Sequence, residues 1–309
     1  IMKKRGVRIS IFCILVAGFA YSVNDISIKH FTSLMPLHQV VFLRALIALI
    51  FTLFIFLPIE GGRSALITNR PGLHIISGLC LVLANLSFFS GLALIPLGES
   101  SAIFFIAPLI ITLFSVMFLK EVVGIRRWSA LIFGMAGVLL IIKPGTIDFT
   151  WATFLPITAA IMYAMRNIIT RKMGLQETAV TMSFYLHLTF IAACGSMGLL
   201  FGDGNFSGSQ NLALDFIFRA WVMPSTEMLI VIFIAGIASA MGGYFSAQAY
   251  RLSSASVVAP FEYTTLVLAV FWGYFLWNEL PDFISFIGIF LIISSGVFIA
   301  IRERKIELS

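Results

Sequence analysis

Tyr21-Ser22-Val23-Asn24-Asp25-Ile26 and Tyr163-Ala164-Met165-Arg166-Asn167-Ile168 lie 142 residues apart and align position for position. Both stretches sit inside long apolar runs, where polar side chains are costly to hold. Their recurrence marks the chain as two copies of one unit, each keeping a polar spot at the same place. Three shorter echoes agree. Ala107-Pro108-Leu109 matches Ala259-Pro260-Phe261, Phe89-Ser90-Gly91 matches Phe245-Ser246-Ala247, and the run from Gly137 to Lys143 matches the run from Gly296 to Arg302.

Composition sets the solvent. Hydrophobic residues make up 60% and charged residues 11% of the 309 positions, whereas a soluble domain holds about 45–50% and about 25%. A bilayer-spanning helix needs about 20 mostly apolar residues, and ten such runs are expected. They are Ile9 to Lys29, His38 to Leu57, Leu73 to Ile95, Ser100 to Leu119, Trp128 to Ile142, Trp151 to Ile169, Met182 to Phe201, Met228 to Tyr250, Ser256 to Trp277 and Phe283 to Ile301. The first run follows Lys3-Lys4-Arg5 as a signal peptide would. It holds Asn24 and Asp25 and lacks an A-x-A site, so it reads as a retained span. Cys13, Cys80 and Cys194 all fall within spans without metal-like spacing and read as small core residues.

The basic residues give the orientation. With the N-terminus cytoplasmic, fifteen Lys and Arg fall on inner segments and three (Lys29, Lys143, Arg219) on outer ones, leaving Arg44 and Arg166 inside spans. That bias predicts both termini inside. It also accounts for the net charge of +6, since short basic turns face anionic lipid and form no continuous patch for nucleic acid. The ten spans divide at Thr146 to Thr150, giving halves 1–147 and 148–309. Five spans per half send the second copy into the membrane from the opposite side. The expected fold is thus an all-α membrane protein of ten transmembrane helices, in two inverted five-helix repeats around a central cavity.

Arg44 early in the second span, Pro108 and Lys120-Glu121 in and after the fourth, Gly134 and Gly137 in the fifth, and Ala259-Pro260-Phe261-Glu262-Tyr263 in the ninth follow a familiar order. In this order and spacing the chain resembles the EamA-type drug/metabolite transporters over nearly its whole length. The resemblance implies movement of a small organic metabolite, such as an amino acid or amine, across a bacterial inner membrane by alternating access. Proton coupling is an option. The alternative is uptake or exchange of a nucleotide-like metabolite such as S-adenosylmethionine, a substrate found among similar proteins. A non-transporting sensor or scaffold is a distant alternative, since it would need a sizeable cytoplasmic module and the longest inner segment is about a dozen residues. No Walker-type motif, H-E-x-x-H or G-x-S-x-G appears, so neither ATP drive nor enzymatic chemistry is expected. No cofactor or metal is expected. The expected partners are the substrate and the bilayer, with a homodimer as an open possibility.

Asp25 and Arg44 lie about 6 and about 9 Å from the outer ends of their spans, at 1.5 Å per residue. They read as an ion pair at an outer gate with Asp25 open to a proton or a substrate ammonium. On the plainer reading Arg44 snorkels to the headgroups and Asp25 neutralises it. The repeat carries Asp25 onto Asn167 and Arg44 to within one residue of His187, which with Arg166 and Glu262 predicts a second polar cluster toward the inner face. Glu262 is the other candidate for a proton or cation site. His187 can titrate near neutral pH, though a hydrogen-bonded core histidine is commoner. Asn24, Tyr21, Tyr163 and Tyr263 complete the expected pathway, and Tyr185, Asn85 and Trp272 are further candidates for cavity lining. Glu99 reads as a helix cap, Glu121 and Glu279 as loop contacts. In the long loop from Gly202 to Pro224, Leu212, Phe216, Ile217 and Trp221 suggest a short helix lying in the membrane interface.

Single-cysteine labelling should find the Gly204 to Ser209 region reachable from outside the cell and Arg126 to Arg127 from the cytoplasm. The opposite pattern would overturn the orientation.

Overall fold

A lipid-embedded chain must satisfy its backbone internally, and this one does so with helices. The computed structural model describes residues 2–31, 35–92, 94, 97–143, 151–205, 215, 217–277 and 282–308, with no β-strand among them. The helices are α1 (Met2–Phe31), α2 (Leu37–Phe51), α3 (Pro71–Leu92), α4 (Leu97–Phe104), α5 (Ala107–Leu119), α6 (Ile125–Ile142), α7 (Phe154–Met173), α8 (Ala179–Phe201), α9 (Thr226–Leu252), α10 (Ala255–Val258), α11 (Thr264–Trp277) and α12 (Phe283–Leu308). The end of α2 is extended by a π-helical turn, Thr52–Phe56, and one last α-turn, Leu57–Ile59.

Among the described residues, nine helical segments are long and apolar enough to cross a membrane. The run expected from Ser100 to Leu119 is divided. Its chain turns at Phe105 and Ile106 between α4 and α5, and α5 alone has 13 residues. Proline explains the division. Pro108 sits in the first turn of α5, where its missing N–H was not needed, and it cannot continue a helix from upstream. Pro260 does the same in the second half, where α10 gives way to a 3-10 turn, Ala259–Tyr263, before α11 begins.

The helices pack chiefly on partners far away in sequence. α1 lies on α9 and α3 on α7; α2 packs on α8 and α9, and α3 on α8; α6 lies along α12, α5 touches α7 and α11 touches α1. Small residues let these backbones approach, as expected where lipid supplies no hydrophobic drive between helices. The tightest crossing joins α6 to α12. A Cβ on Gly137 would stand 2.6 Å from the Gly288 carbonyl oxygen, and one on Gly288 would stand 2.6 Å from that of Gly137. Large apolar side chains such as Phe54, Leu199, Phe275 and Phe290 point outward and are exposed, a surface suited to lipid. Cys13, Cys80 and Cys194 are free and buried.

Outside the spans, Lys143 ends α6 in the left-handed conformation (φ 47°) and hydrogen bonds to Asp282, which caps α12 through the Ser285 N–H at 3.1 Å and hydroxyl at 2.7 Å. The Lys143 bond and then Ser285 hold the Asp282 carboxyl down at about 2. The expected boundary at 144–150 lies outside the described residues.

Gly137→Val should lower the thermal midpoint in detergent, by an overpacking cost of about 1–3 kcal/mol. Gly72→Ala, in the first turn of α3 with nothing within 4 Å of the added Cβ, should leave it unchanged or raise it. Equal effects of the two would show that the α6–α12 crossing is not tight.

Candidate functional site

The polar stretch of α1 faces the centre of the bundle because Gly242 of α9 has no side chain. A Cβ there would meet the Tyr21 ring at 2.5 Å. One turn further along α1, Asn24 is buried and accepts a hydrogen bond from Arg44 Nη1 on α2 at 2.8 Å. The Asn24 amide in turn donates to Asp25 Oδ1 at 3.2 Å. Arg44 and Asp25 are therefore joined through Asn24 and form no direct ion pair. The Arg44 guanidinium lies 5.8 Å from the centre of the Phe190 ring on α8, within cation–π range. It does not snorkel, since only 5% of the residue is exposed. Asp25, by contrast, is exposed.

The second half builds its polar cluster from α7, α9 and the broken segment at Pro260. The Glu262 carboxylate accepts from the Tyr163 hydroxyl at 3.0 Å and the Tyr250 hydroxyl at 2.6 Å, both on Oε1. It lies in the 3-10 turn between α10 and α11, half-buried. Arg166 is buried on α7, and its Nη1 donates to Asn167 Oδ1 at 2.6 Å and to Ser246 Oγ of α9 at 2.9 Å. His187 of α8 is buried between Ser183, 3.4 Å from its Nδ1, and Gly243 of α9. Tyr21 lies near both guanidiniums and near Ser246 and Glu262, and His187 lies near both guanidiniums. The two expected clusters thus adjoin one another across Tyr21.

A further set of bonds closes the end of the bundle that holds the N-terminus, where Gly6 approaches Leu252. Lys120 turns into the left-handed conformation (φ 55°), which directs Glu121 toward the start of α10. There Glu121 accepts from the N–H groups of Ala255 and Ser256 at 3.2 and 3.4 Å, and from Arg171 Nε at 3.4 Å. Glu60, after α2, accepts from the Tyr244 hydroxyl at 2.8 Å and the Val180 N–H at 3.1 Å, with Arg251 3.8 Å away. Both carboxylates lie in the first 121 residues, and these donors all lie at residue 171 or beyond. Glu121 is a contact between the halves, more than the local loop contact its position suggested.

The remaining expected residues make the following contacts. Tyr263 is fully buried, with its ring against Gly134 and Phe105. Tyr185 stacks on His74 and donates to the Leu66 carbonyl at 3.3 Å. Asn85 donates to the Leu81 carbonyl within its own helix, and Trp272 donates to Ser22 Oγ at 3.0 Å. Trp221 is inserted between helices: it packs on Phe42 and His38 of α2 and fills the space over Gly198 of α8. Trp221 itself is not in a helix and is half-buried. Leu212, Phe216 and Glu279 lie outside the described residues, and the Glu99 side chain does too. Tyr250 and Ser246 were not anticipated. The only signal for them is that a hydroxyl in an apolar run needs a partner. No group of three or more His, Cys, Asp or Glu among the described residues could hold a metal.

A double-mutant cycle should find coupling between Asn24→Ala and Arg44→Ala of roughly 0.5–3 kcal/mol in unfolding free energy, and a smaller value between Asp25→Ala and Arg44→Ala. The reverse order would mean that Arg44 and Asp25 meet directly.

The chain is similar to proteins of named function over most of its length. It is 28% identical over 286 residues to an S-adenosylmethionine uptake transporter of Rickettsia prowazekii, covering 92% of this chain and 90% of that protein. It is 28% identical over 296 residues to a riboflavin transporter of Vibrio cholerae (94% and 92% covered), and 25% identical over 310 residues to the pseudopaline exporter CntI of Pseudomonas aeruginosa (98% and 98%). A solved structure described only as "Crystal structure of protein" superposes with a TM-score of 0.77 at 17% identity, covering 98% of this chain and 99% of the other, which establishes likeness of fold. The model of the EamA-like transporter family matches residues 8–143 and again residues 150–301. Together with the all-helical bundle and its intramembrane polar centre, this match makes the chain a member of the EamA-like transporter family.

Proposed function

We propose that the chain is a secondary transporter of a small organic metabolite that works by alternating access about the Tyr21–Arg44–Arg166–Glu262 centre. In this reading ten segments cross a bacterial inner membrane as two inverted halves, 1–147 and 148–309, with both termini cytoplasmic. Three observations support the inverted pair. The family model matches twice. The contacts of α1 with α9, α2 with α9 and α5 with α7 have counterparts in α7 with α3, α8 with α3 and α11 with α1. The prolines that break the fourth and ninth runs fall at matching points.

The observation that carries the mechanism is Glu262, a carboxylate at a helix break, held by two tyrosine hydroxyls. A helix broken near the bilayer centre leaves backbone groups available to a ligand and allows bending. Glu262 then binds a proton or a substrate cation, with Tyr163 and Tyr250 reporting its charge to α7 and α9. Asp25, exposed next to Asn24, is the entry-side counterpart. A gradient-driven cycle requires the bonds of Glu60 and Glu121 to break when the N-terminal end opens.

A second reading specifies the cargo. The Rickettsia relatives are named for S-adenosylmethionine uptake, which favours a cationic nucleoside-bearing metabolite over riboflavin or pseudopaline.

Proteoliposomes should show saturable uptake or counterflow of at least one member of a panel of S-adenosylmethionine, riboflavin and free amino acids. Flux of an amino acid without S-adenosylmethionine would retain the first reading and remove the second. No saturable, protein-dependent flux of any member would overturn the transport reading. Glu262→Gln should abolish accumulation driven by a pH gradient while leaving exchange largely intact, and normal accumulation would remove Glu262 from coupling.

A further inference from the structure

The centre of the bundle holds more hydrogen-bond donors than acceptors. Among the described residues, Arg44 Nε and Asn167 Nδ2 are buried with no hydrogen-bond partner within 3.5 Å, in residues that are 5% and 0% exposed, and the Asn167 side chain lies close to the Tyr163 hydroxyl. A buried donor left unpaired carries its full desolvation penalty, so native proteins seldom leave one without a reason. Arg166 bonds through Nη1 alone, to the neutral oxygens of Asn167 and Ser246. A guanidinium has five N–H donors and stays charged at any physiological pH. Among the described residues, neither Arg44 nor Arg166 has a carboxylate within 4.0 Å. Arg171 and Arg251, which have carboxylates within 4.0 Å, lie in the last turns of α7 and α9. Both buried guanidiniums thus hydrogen bond only to neutral partners, with Asp25 and Glu262 the nearby carboxylates, and they keep donors free.

The position of the spare donors narrows the anion. Because Asn167 Oδ1 receives Arg166 Nη1, its NH₂ lies beside the same guanidinium, and donors of these two kinds are the ones that hold two oxygens on one carbon. Glu262 lies near enough to be felt by Arg166 and Tyr21, yet it bonds to Tyr163 and Tyr250. A dianion such as phosphate would stand against that carboxylate. A monoanion bearing a cation on the far side would be matched on both sides.

We propose that Arg166 and Asn167, with Arg44 nearby, form a carboxylate subsite, and that the cargo is a zwitterion whose carboxylate binds there while its cationic portion lies toward Glu262. The assignment rests on the transport reading and adds the substrate class. It also assigns Arg166 a ligand-binding role in place of a salt bridge or a snorkelling contact. Ser246 is then a positioning residue that holds the guanidinium toward Asn167.

The test uses the purified full chain in detergent and matched ligand pairs that differ by one carboxylate: S-adenosylmethionine and its decarboxylated analogue, arginine and agmatine, phenylalanine and phenethylamine. Loss of a charge-assisted bidentate contact should weaken binding of the decarboxylated member at least about tenfold in one pair or more, by calorimetry or thermal shift. Arg166→Gln should bring the two members of that pair to similar affinity. Should Arg166→Gln fold poorly, Asn167→Asp serves instead. It puts a carboxylate beside Arg166, so it should raise the thermal midpoint and abolish the preference for the carboxylated member. Equal binding of both members in every pair, no binding of any carboxylated member, or an Asn167→Asp protein that keeps the preference would overturn the subsite. Proteoliposome flux separates the two proposals. Riboflavin flux with no carboxylate preference leaves transport standing and removes the subsite, whereas no flux of any compound removes transport while the binding result still decides the subsite.

Discussion

A charge inside a membrane-spanning segment is costly to hold, and this chain carries two buried arginines within its apolar helices, hydrogen-bonded to neutral partners. The rest of the arrangement follows from that constraint. Arg44 is tolerated because Asn24 gives it an oxygen and Phe190 a ring face, and Arg166 because Asn167 and Ser246 each give it an oxygen. Those partners come from α1, α8, α7 and α9, so the helices that carry them must be packed face to face. Glycine supplies the room, with Tyr21 seated over Gly242 and His187 against Gly243.

The two halves solve the problem with different residues at related positions. In the first, the arginine is on the second helix and the amide on the first. In the second, the arginine and the amide are neighbours on the first helix, Arg166 and Asn167, and a neutral-capable His187 stands near the position corresponding to Arg44. The acid is displaced as well, from Asp25 to Glu262 on the broken segment. The two stretches that the family model matches thus differ in charge, which gives the centre donors from Arg44 and Arg166 and a carboxylate from Glu262. Such an asymmetry suits a ligand with two unlike ends better than one with a single charge.

The two ends of the bundle also differ. At the N-terminal end, Glu60 and Glu121 reach across to the second half and gather backbone N–H groups, a tyrosine and arginines. Bonds of this kind, charged on one side and partly buried, are among the stronger ones available, and they tie residues far apart in the chain together at that end. At the other end Asp25 is exposed and Trp272 leans on Ser22 through one neutral bond.

From sequence alone, the composition dictated lipid as the solvent, the runs of apolar residues located the helices, and the polar residues within them named most of the centre: Tyr21, Asn24, Asp25, Arg44, Tyr163, Arg166, Asn167, His187 and Glu262. These are legible because each is a local departure from an apolar background, readable without knowing its neighbours. The prolines at 108 and 260 were visible too, although the sequence read the fourth run as one span where the chain turns between α4 and α5. Only the tertiary structure decided which of these residues meet. Glu121 finds Ala255 at a separation of 134 residues and Tyr244 finds Glu60 at 184, and nothing at either position in the chain announces the other. Asn24 came between Arg44 and Asp25, Tyr263 and Trp221 went into packing, and Tyr250 entered the centre. Side-chain reach and helix crossing fix these outcomes at distances of a few ångströms, a scale on which periodicity and composition carry no information.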